Sequence, residues 1–580
     1  MLKRIDKLSV VGRQRWNFWF LALLCVLVLV PFLGETIFYS KGEPREAIVA
    51  VSMLQSGNWI LPVNYGVDIA FKPPFLYWCI ASVSWLAGGV SEFTTRFPSA
   101  VAAIGMMLFF YRFVRKRLGE ELAMLSVMLL LTSFEVHRAA VAGRVDMVQV
   151  ACIVIALCML YRWDEQGQHR FPWPAVLLMA CGTLTKGPVG SIFPCMVTGV
   201  YLLMRGCKFW PTFGWMFCFG FLSVLPYAAW MGLAYQQGGQ ELIDLMLEEN
   251  TGRVTGTMSY ASHENPVWYN FLTLIWGWIP WTLVFVASLF TLKRGRRVQH
   301  QPVAWHHRVK ALWHSFRQQD PLQLFCWLAV LLIFVFYCIP KSKRSVYLLP
   351  IYPFMALFFA QYLRGLAQRG SRLFRSFSIV FGSLGVVLTM VFFVVRLGWV
   401  PDSIMGNGRH AAENVGFLHA LRDTPYDFVQ WLIILLPLAG AIMLFRLCLR
   451  RHTAFTHLYA IVGMVLCIFV ALDGVYQPTV LSTKSDLRIA RQLQQLQPEG
   501  PLYAYGFFYG VNFYLNDRLR HVELISDPQA KGYVIVAEKE DALMREELSG
   551  RFVFQPVFHT SYRSCDARCP IICYYFQAKD

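Results

Sequence analysis

Charged side chains of the kinds that grip anions and move protons recur at a few points in an otherwise apolar sequence. The first group is "KGEPREA", which crowds Lys41, Glu43, Arg45 and Glu46 into six residues. A carboxylate held beside a hydroxyl can take its proton in a transfer reaction. Glu43 is the first candidate for that role, with Arg45 to orient it. The plainer alternative is that both glutamates favour a helix dipole and pair with Arg45 or Lys41. Further along, "FKPP" supplies Lys72, "GRVDM" supplies Arg144 and Asp146, and "LTKGP" supplies Lys186. "ENTGRV" adds Arg253, "SHENP" adds His263, and "PKSKRSVY" adds Lys341, Lys343, Arg344 and Tyr347. Asp146 is the second candidate base. The cations are of the types that hold phosphate, lysine as a compact charge and arginine as a fork. Each has a structural reading too: snorkelling to lipid headgroups for Lys72, a plain ion pair for Arg144 and Asp146, lipid attraction for the 341–344 cluster, and a solvated loop for His263.

These groups would have to be positioned by membrane helices. The chain has 580 residues, 56% hydrophobic and 15% charged, which excludes a soluble multidomain protein. Apolar runs of about 18 residues or more indicate transmembrane helices. About thirteen are expected, near 16–38, 97–114, 121–136, 147–162, 173–185, 189–204, 212–233, 269–291, 322–339, 346–363, 376–397, 429–446 and 455–474. The first run lacks a small-residue cleavage site and reads as an uncleaved anchor. The net charge of +18 does not point to nucleic acid, because the cations cluster in short loops: Arg112 to Arg117, Arg205 and Lys208, Lys293 to Arg297, Arg364 to Arg375, and Arg446 to Arg451. That is the positive-inside pattern. It is satisfied throughout if the short segment 74–89 lies flat at the interface instead of crossing. The N-terminus is then cytoplasmic and the C-terminus extracytoplasmic, and every candidate residue falls in an outer loop. Repeated cations on the face that topology disfavours call for an anionic ligand.

Within the first outer loop, 39–96, Pro44 and Gly57 suit the start and stop of an interfacial helix. The expected boundary of the membrane unit is residue 474. Residues 475–580 are polar, with helical "KSDLRIARQLQQL" and strand-like "PLYAYGFF" and "GYVIVAE", and read as a small extracytoplasmic α/β domain. The cluster Cys565, Cys569 and Cys573 favours a disulfide or free thiols over a metal site. No nucleotide-binding loop, dinucleotide fingerprint, zinc-protease helix or nucleophile elbow is present. A divalent metal stays open, and no other cofactor is indicated. Two other classes compete: a flippase or transporter of lipid-linked sugars, and a lipid-binding scaffold. Largely apolar spans without internal repeats speak against transport.

The ordered motifs "GEPREA", "QSGNWILP", "DIAFKPPFLYW", "SEFTTRFPSA", "GRVDM", "LTKGP" and "KSKRSVYLLP" resemble the GT-C membrane glycosyltransferases, in the branch of the lipid A 4-amino-4-deoxy-L-arabinose transferases and protein O-mannosyltransferases. The resemblance covers about residues 40–360. It implies a polytopic helical fold with an outer C-terminal domain. It also implies inverting transfer of a sugar from a polyprenyl-phosphate donor to a glycolipid, glycan or protein acceptor, in a bacterial inner membrane. Glu43 and Arg45 match the family's acidic first-loop motif, Lys72 its lysine before proline, Asp146 its second-loop aspartate, and Tyr347 its fifth-loop tyrosine. Lys72, Lys186 and the 341–344 cluster would hold the lipid phosphate, with the helix around Tyr77 and Trp78 guiding the polyprenyl chain. Two positions depart from the pattern: Gly42 stands where many members carry Asp, and Phe71 where the aminoarabinose branch carries Glu.

Overall fold

The computed structural model describes residues 2–70, 72–248, 252, 255, 263–291, 313–406, 408, 410–450, 452–496 and 500–579. Phe71, Arg253 and the basic stretch 293–297 lie outside them. Among the described residues, eight helices are long and apolar enough to cross a membrane. Two bent pairs raise this to ten: Glu120–Leu131 with Phe134–Ala140, at 70°, and Trp268–Gly277 with Trp281–Phe290, at 99°. The chain is a multi-pass membrane protein. The other three expected spans fall on shorter helical stretches, Arg15–Leu29, Trp173–Lys186 and Val189–Met204.

The first helix, α1 (Leu2–Leu29), ends well before the expected residue 38. Pro31 has no N–H for the helix ladder, and the chain leaves through turns closed by Leu33 N–H to Val30 O and Glu35 N–H to Phe32 O. The helix expected from Pro44 and Gly57 is present as α2 (Gly42–Ser56), and Gly57 closes it at φ 70°. Protein covers it on two sides, where one apolar face was expected. Ten of its residues, from Glu43 to Met53, are buried. One side meets α3 (Phe75–Ala87) through Val49, Ala50, Met53, Leu76, Tyr77 and Ile80. The other joins a core built largely from the C-terminal residues, through Ala47, Ile48 and Val51 with Phe38 and Tyr65. The apolar Ile48, Val49 and Val51 surround the helix, which suits a two-sided burial.

α3 packs on α2 and on α4 (Glu92–Leu118), which a Ser91–Thr94 capping box starts. α5 (Glu120–Leu131) and α6 (Phe134–Ala140) lead to α7 (Val145–Glu165), the most buried long helix. α8 (Trp173–Lys186) and α9 (Val189–Met204) turn tightly on each other. A Cβ on Gly190 would stand 2.3 Å from Thr183 N and 2.4 Å from Gly182 C, so only glycine lets the two backbones approach and fixes Lys186 at the end of α8. α10 (Phe209–Leu247) runs past the expected residue 233, broken at Gly239.

The C-terminal part holds a five-stranded mixed sheet. Its strands are β3 (Leu502–Tyr505), β4 (Leu519–His521), β5 (Gly532–Ala537), β6 (Phe552–His559) and β7 (Ile571–Ala578), following a two-residue ribbon, β1 and β2, at 63–64 and 68–69. The order is β4-β3-β5-β7-β6, with β3 parallel to both neighbours and β7 antiparallel to both of its own. It sits on the first loop through specific bonds. Tyr65 OH accepts from Phe508 N at 2.8 Å, Tyr65 O accepts from His521 N at 3.1 Å, and Ser52 Oγ lies 2.8 Å from Asp517 Oδ2. Tyr514 OH donates to Glu92 at 2.8 Å and accepts from Phe38 N at 2.9 Å. Each aliphatic side chain buried in this joint contributes about 1.5–3 kcal/mol.

Candidate functional site

Where α2, α3, α7 and α8 begin or end, buried charges gather. Glu43 is held from three directions. Arg96 Nε and Nη2 donate to its two oxygens at 2.8 and 3.0 Å, and Gly143 N–H adds a third bond at 2.8 Å. Arg96 also donates to the carbonyls of Leu33 and Thr36. Burial pushes the Glu43 carboxyl up, yet the Arg96 guanidinium and the Gly143 N–H outweigh it and keep the group below the usual carboxylate range. Both oxygens are committed, so this geometry suits a clamp between the first loop, α4 and the second loop better than it suits a base. Arg45 Nη2 lies 3.7 Å from Glu46 Oε1, the next carboxylate along the helix.

Glu46, one helical turn on, is fully buried. Lys72 pairs with its Oε1, and Tyr77 OH donates to its Oε2 at 2.9 Å. Burial opposes ionisation, but Lys72, Arg45 and Arg144 together bring Glu46 down to about 2. Lys72 itself is lowered to about 7, by burial first and then by Arg45 and Arg144, with Glu46 pulling the other way. Tyr77 therefore points into the charged cluster and not toward lipid; Trp78 Nε1 donates to Trp59 O at 2.7 Å.

Asp146, in the first turn of α7, accepts from Lys186 Nζ at 2.5 Å and lies 3.9 Å from Arg144 Nε. The Lys186 ammonium also stands 4.5 Å over the Tyr347 ring, which stacks on Tyr337. Arg144 joins the two groups. Its guanidinium lies across the start of α2, where a Cβ on residue 42 would be 1.6 Å from Nη1. Gly42 thus leaves the space that Arg144 fills.

Arg45, Lys72, Arg144, Asp146, Lys186 and Tyr347 are brought together as the sequence suggested, and Glu43 adjoins them through Arg144. The fifth loop contributes less than expected. Lys343 is buried with its ammonium on the Pro340 carbonyl, which takes it out of the cluster. Lys341 is exposed and Arg344 half-buried. His263 is exposed; its carbonyl accepts from Lys343 N at 2.9 Å, and Glu264 bridges Ser342, so the fourth and fifth loops meet through backbone. Glu46, which the sequence suggested only as a helix-dipole or pairing residue, and Arg96, which it did not single out, are the additions. Glu46 shares the first motif at helical spacing, and Arg96 lies within "SEFTTRFPSA", so a signal for each was present.

Two hollows adjoin the cluster. One, of about 380 Å³, is lined by Glu43, Arg96, Arg138, Arg144 and Tyr39, with His137 and Asp473 opposite, 2.7 Å apart. Lys72, Asp146 and Lys186 do not line it; they lie beyond Arg144. The other is an apolar groove of about 600 Å³ between α3, α4, α7 and α8, lined by Phe75, Trp78, Phe97, Val101, Val148 and Ile155 among others. It opens three residues from Lys72 and two from Asp146 in sequence.

The buried carboxylates Glu43, Glu46 and Asp146 are each paired with a cation. One three-residue group of possible ligands occurs among the described residues, Asp486, Cys565 and Asp566, with ligand atoms within 4.8 Å of one another. It belongs to the C-terminal part, where Asp486 already accepts from Cys565 N and Ser564 Oγ, each at 2.9 Å. Cys565, Cys569 and Cys573 are free thiols.

Residues 71–230 match a family described as dolichyl-phosphate-mannose-protein mannosyltransferase. An undecaprenyl phosphate-alpha-4-amino-4-deoxy-L-arabinose arabinosyl transferase of Edwardsiella ictaluri is 24% identical over 558 residues, 91% of each chain. A protein of Aquifex aeolicus is 28% identical over 347 residues, and the match spans 63% of its length. The crystal structure of ArnT from Cupriavidus metallidurans bound to undecaprenyl phosphate superposes with a TM-score of 0.67 at 20% identity, covering 96% of this chain and 97% of that one. The chain shares the fold of that structure along nearly its whole length. The apo form of the same ArnT gives a TM-score of 0.63 at 19% identity. The family match at 71–230 takes in Lys72, Arg144, Asp146 and Lys186, but not the first-loop helix.

Proposed function

We propose that this protein moves a sugar from a polyprenyl-phosphate donor to a glycolipid, glycan or protein acceptor, at the extracytoplasmic face of a bacterial inner membrane, with inversion at the anomeric carbon. One observation carries the reading: four cations, Arg45, Lys72, Arg144 and Lys186, surround two carboxylates, Glu46 and Asp146, beside an apolar groove. Fully charged, the cluster has two positive charges in excess in a sheltered place. A phosphate head supplies that countercharge, and the groove suits its hydrocarbon tail. The Edwardsiella transferase and the Cupriavidus structure, by their names, point to the same donor class.

In this mechanism the acceptor oxygen attacks the anomeric carbon from the side opposite the lipid phosphate. The new carbon–oxygen bond forms as the bond to phosphate oxygen breaks, and the electron pair leaves on the phosphate. Lys72, Arg144 and Lys186 are aimed at that developing charge, where preorganised cations contribute most. Asp146 takes the acceptor proton, Tyr347 steadies Lys186, and Glu43 acts through Arg96 to position α2. Residues up to 474 carry the transfer, and 475–580 close over the first loop. The test is binding of undecaprenyl phosphate by the purified protein in nanodiscs, followed by mass spectrometry of lipid and glycan products from cells with and without the gene. Absence of undecaprenyl phosphate binding by the wild-type protein, or unaltered binding by Lys72→Ala and Lys186→Ala, sinks the reading.

A further inference from the structure

Glu46 takes no part in the transfer steps, yet it is the most enclosed charge of the cluster, 0% exposed in the second turn of α2. Its two oxygens have different partners. Oε1 takes the Lys72 ammonium, and Oε2 accepts from the Tyr77 hydroxyl at 2.9 Å. Tyr77 stands in the first turn of α3 and is itself buried, so it fixes the rotation of the carboxylate. Lys72 precedes Pro73, and a residue before proline is held out of helical backbone, which narrows the paths its stem can take. An ammonium has three N–H donors. Among the described residues, Glu46 accepts one of them and no other acceptor is bonded to Lys72 Nζ. Two donors are left for a phosphate.

The charges around Lys72 are unequal. Arg45 and Glu46 come from α2, Tyr77 from α3, and Arg144 and Asp146 from the start of α7. Lys186 stands behind Asp146, and Asp68 of the first-loop ribbon acts on Tyr77. Burial, Arg45 and Arg144 all work to remove the Lys72 proton, and Glu46 works to keep it. Asp146 is already engaged by Lys186. Without Glu46, a buried lysine would face two guanidiniums with no bonded anion to hold its charge. A neutral amine at that place offers a phosphate no countercharge. A pair that only tied α2 to the Lys72 segment would affect folding and leave the pH dependence of binding alone.

We propose that Glu46 is a positioning residue for donor capture: fixed by Tyr77, it keeps Lys72 charged and aimed at the phosphate. The proposal rests on the transfer reading above and adds a residue that acts through Lys72 without touching the donor. The test is the pH profile of undecaprenyl phosphate affinity, by calorimetry of the full-length protein in nanodiscs. Wild type is compared with Glu46→Gln, Glu46→Asp, Lys72→Arg and the double variant Lys72→Arg/Glu46→Gln. Glu46→Met, neutral and of similar length, is measured beside Glu46→Gln in case the amide disturbs folding. Removing an adjacent opposite charge moves a titration by about 1–3 pH units. Each neutral variant should therefore bind about tenfold or more weakly than wild type at pH 8, and that deficit should shrink at least about fivefold by pH 5. Glu46→Asp, which keeps the charge, should stay within about threefold of wild type throughout. In the Lys72→Arg background, Glu46→Gln should change affinity by the same factor at every pH. A wild type that does not bind undecaprenyl phosphate removes the transfer reading. A wild type that binds and weakens with rising pH, beside neutral variants with no deficit or the same deficit at pH 5 and pH 8, overturns the role of Glu46 alone. So does a Glu46→Asp protein as weak at pH 8 as Glu46→Gln.

Discussion

Lys72 should make donor binding depend on pH in a way an ordinary lysine would not. Burial and the neighbouring Arg45 and Arg144 bring its ammonium from 10.5 to about 7 in the free protein. A phosphate placed against it favours the charged form, so the bound state holds more protons and affinity must fall as pH rises through 7. With a free value of about 7, roughly half of Lys72 is charged at pH 7 and about 1% at pH 9. The dissociation constant for undecaprenyl phosphate should therefore rise about fiftyfold between those values, provided that the bound value stays above 9. The second ionisation of the phosphate, near pH 6, is nearly complete by then and adds little. Titration calorimetry at pH 8 in two buffers of different ionisation enthalpy should report uptake of about 0.9 proton per undecaprenyl phosphate bound. Lys72→Arg, charged throughout, should flatten the profile. A wild-type affinity unchanged from pH 7 to 9, with no proton uptake, would refute the account of Lys72.

Glu43→Gln and Arg96→Ala each strand a buried charge and should lower stability by about 3–5 kcal/mol, read by thermal unfolding in detergent; a Glu43→Gln protein of normal stability but no transfer would restore Glu43 as the base. Asp146→Asn should bind donor yet lose on the order of 10²–10⁴ in single-turnover rate, and near-normal transfer would exclude Asp146 from proton removal. Gly42→Asp should push the flexible Arg144 guanidinium aside and pair with it, costing about tenfold in donor affinity with less than about 1 kcal/mol in stability; unchanged affinity would mean that Arg144 does not contact the head group. Reporter fusions after Arg117 and Arg375 should read cytoplasmic and one after Tyr476 extracytoplasmic, and a cytoplasmic signal at Tyr476 would undo the assignment of the site to the outer face.

The membrane helices and most of the charged cluster could be read from the sequence because each rests on a local signal. Apolar runs mark the spans, and cations against the topological trend mark Lys72, Arg144 and Lys186. What could not be read is pairing. Nothing local distinguishes Glu43 from Glu46 three residues later; the choice is made by Arg96, 53 positions away, and by Lys72, 26 positions away. Lys343 looked like part of a phosphate cradle because three cations fall within four residues, but the Pro340 carbonyl beside it captured its ammonium. The burial of α2 was hidden for the same reason, since many of its apolar partners come from the last hundred residues of the chain.

That last fact has a consequence in time. Ser52 and Asp517, which meet on the far side of α2, are 465 residues apart, and chains grow at about 5–20 residues per second. The first loop therefore waits roughly 25–90 seconds after its own synthesis before its cover exists, while helix after helix inserts around it. During that interval Phe38, Ala47, Ile48 and Val51 have no core to enter, and the glutamates of α2 are not yet held in register. The site is finished at the end of translation, so a chain cut short anywhere before the sheet should be inserted, recognisable as a helical bundle, and inactive.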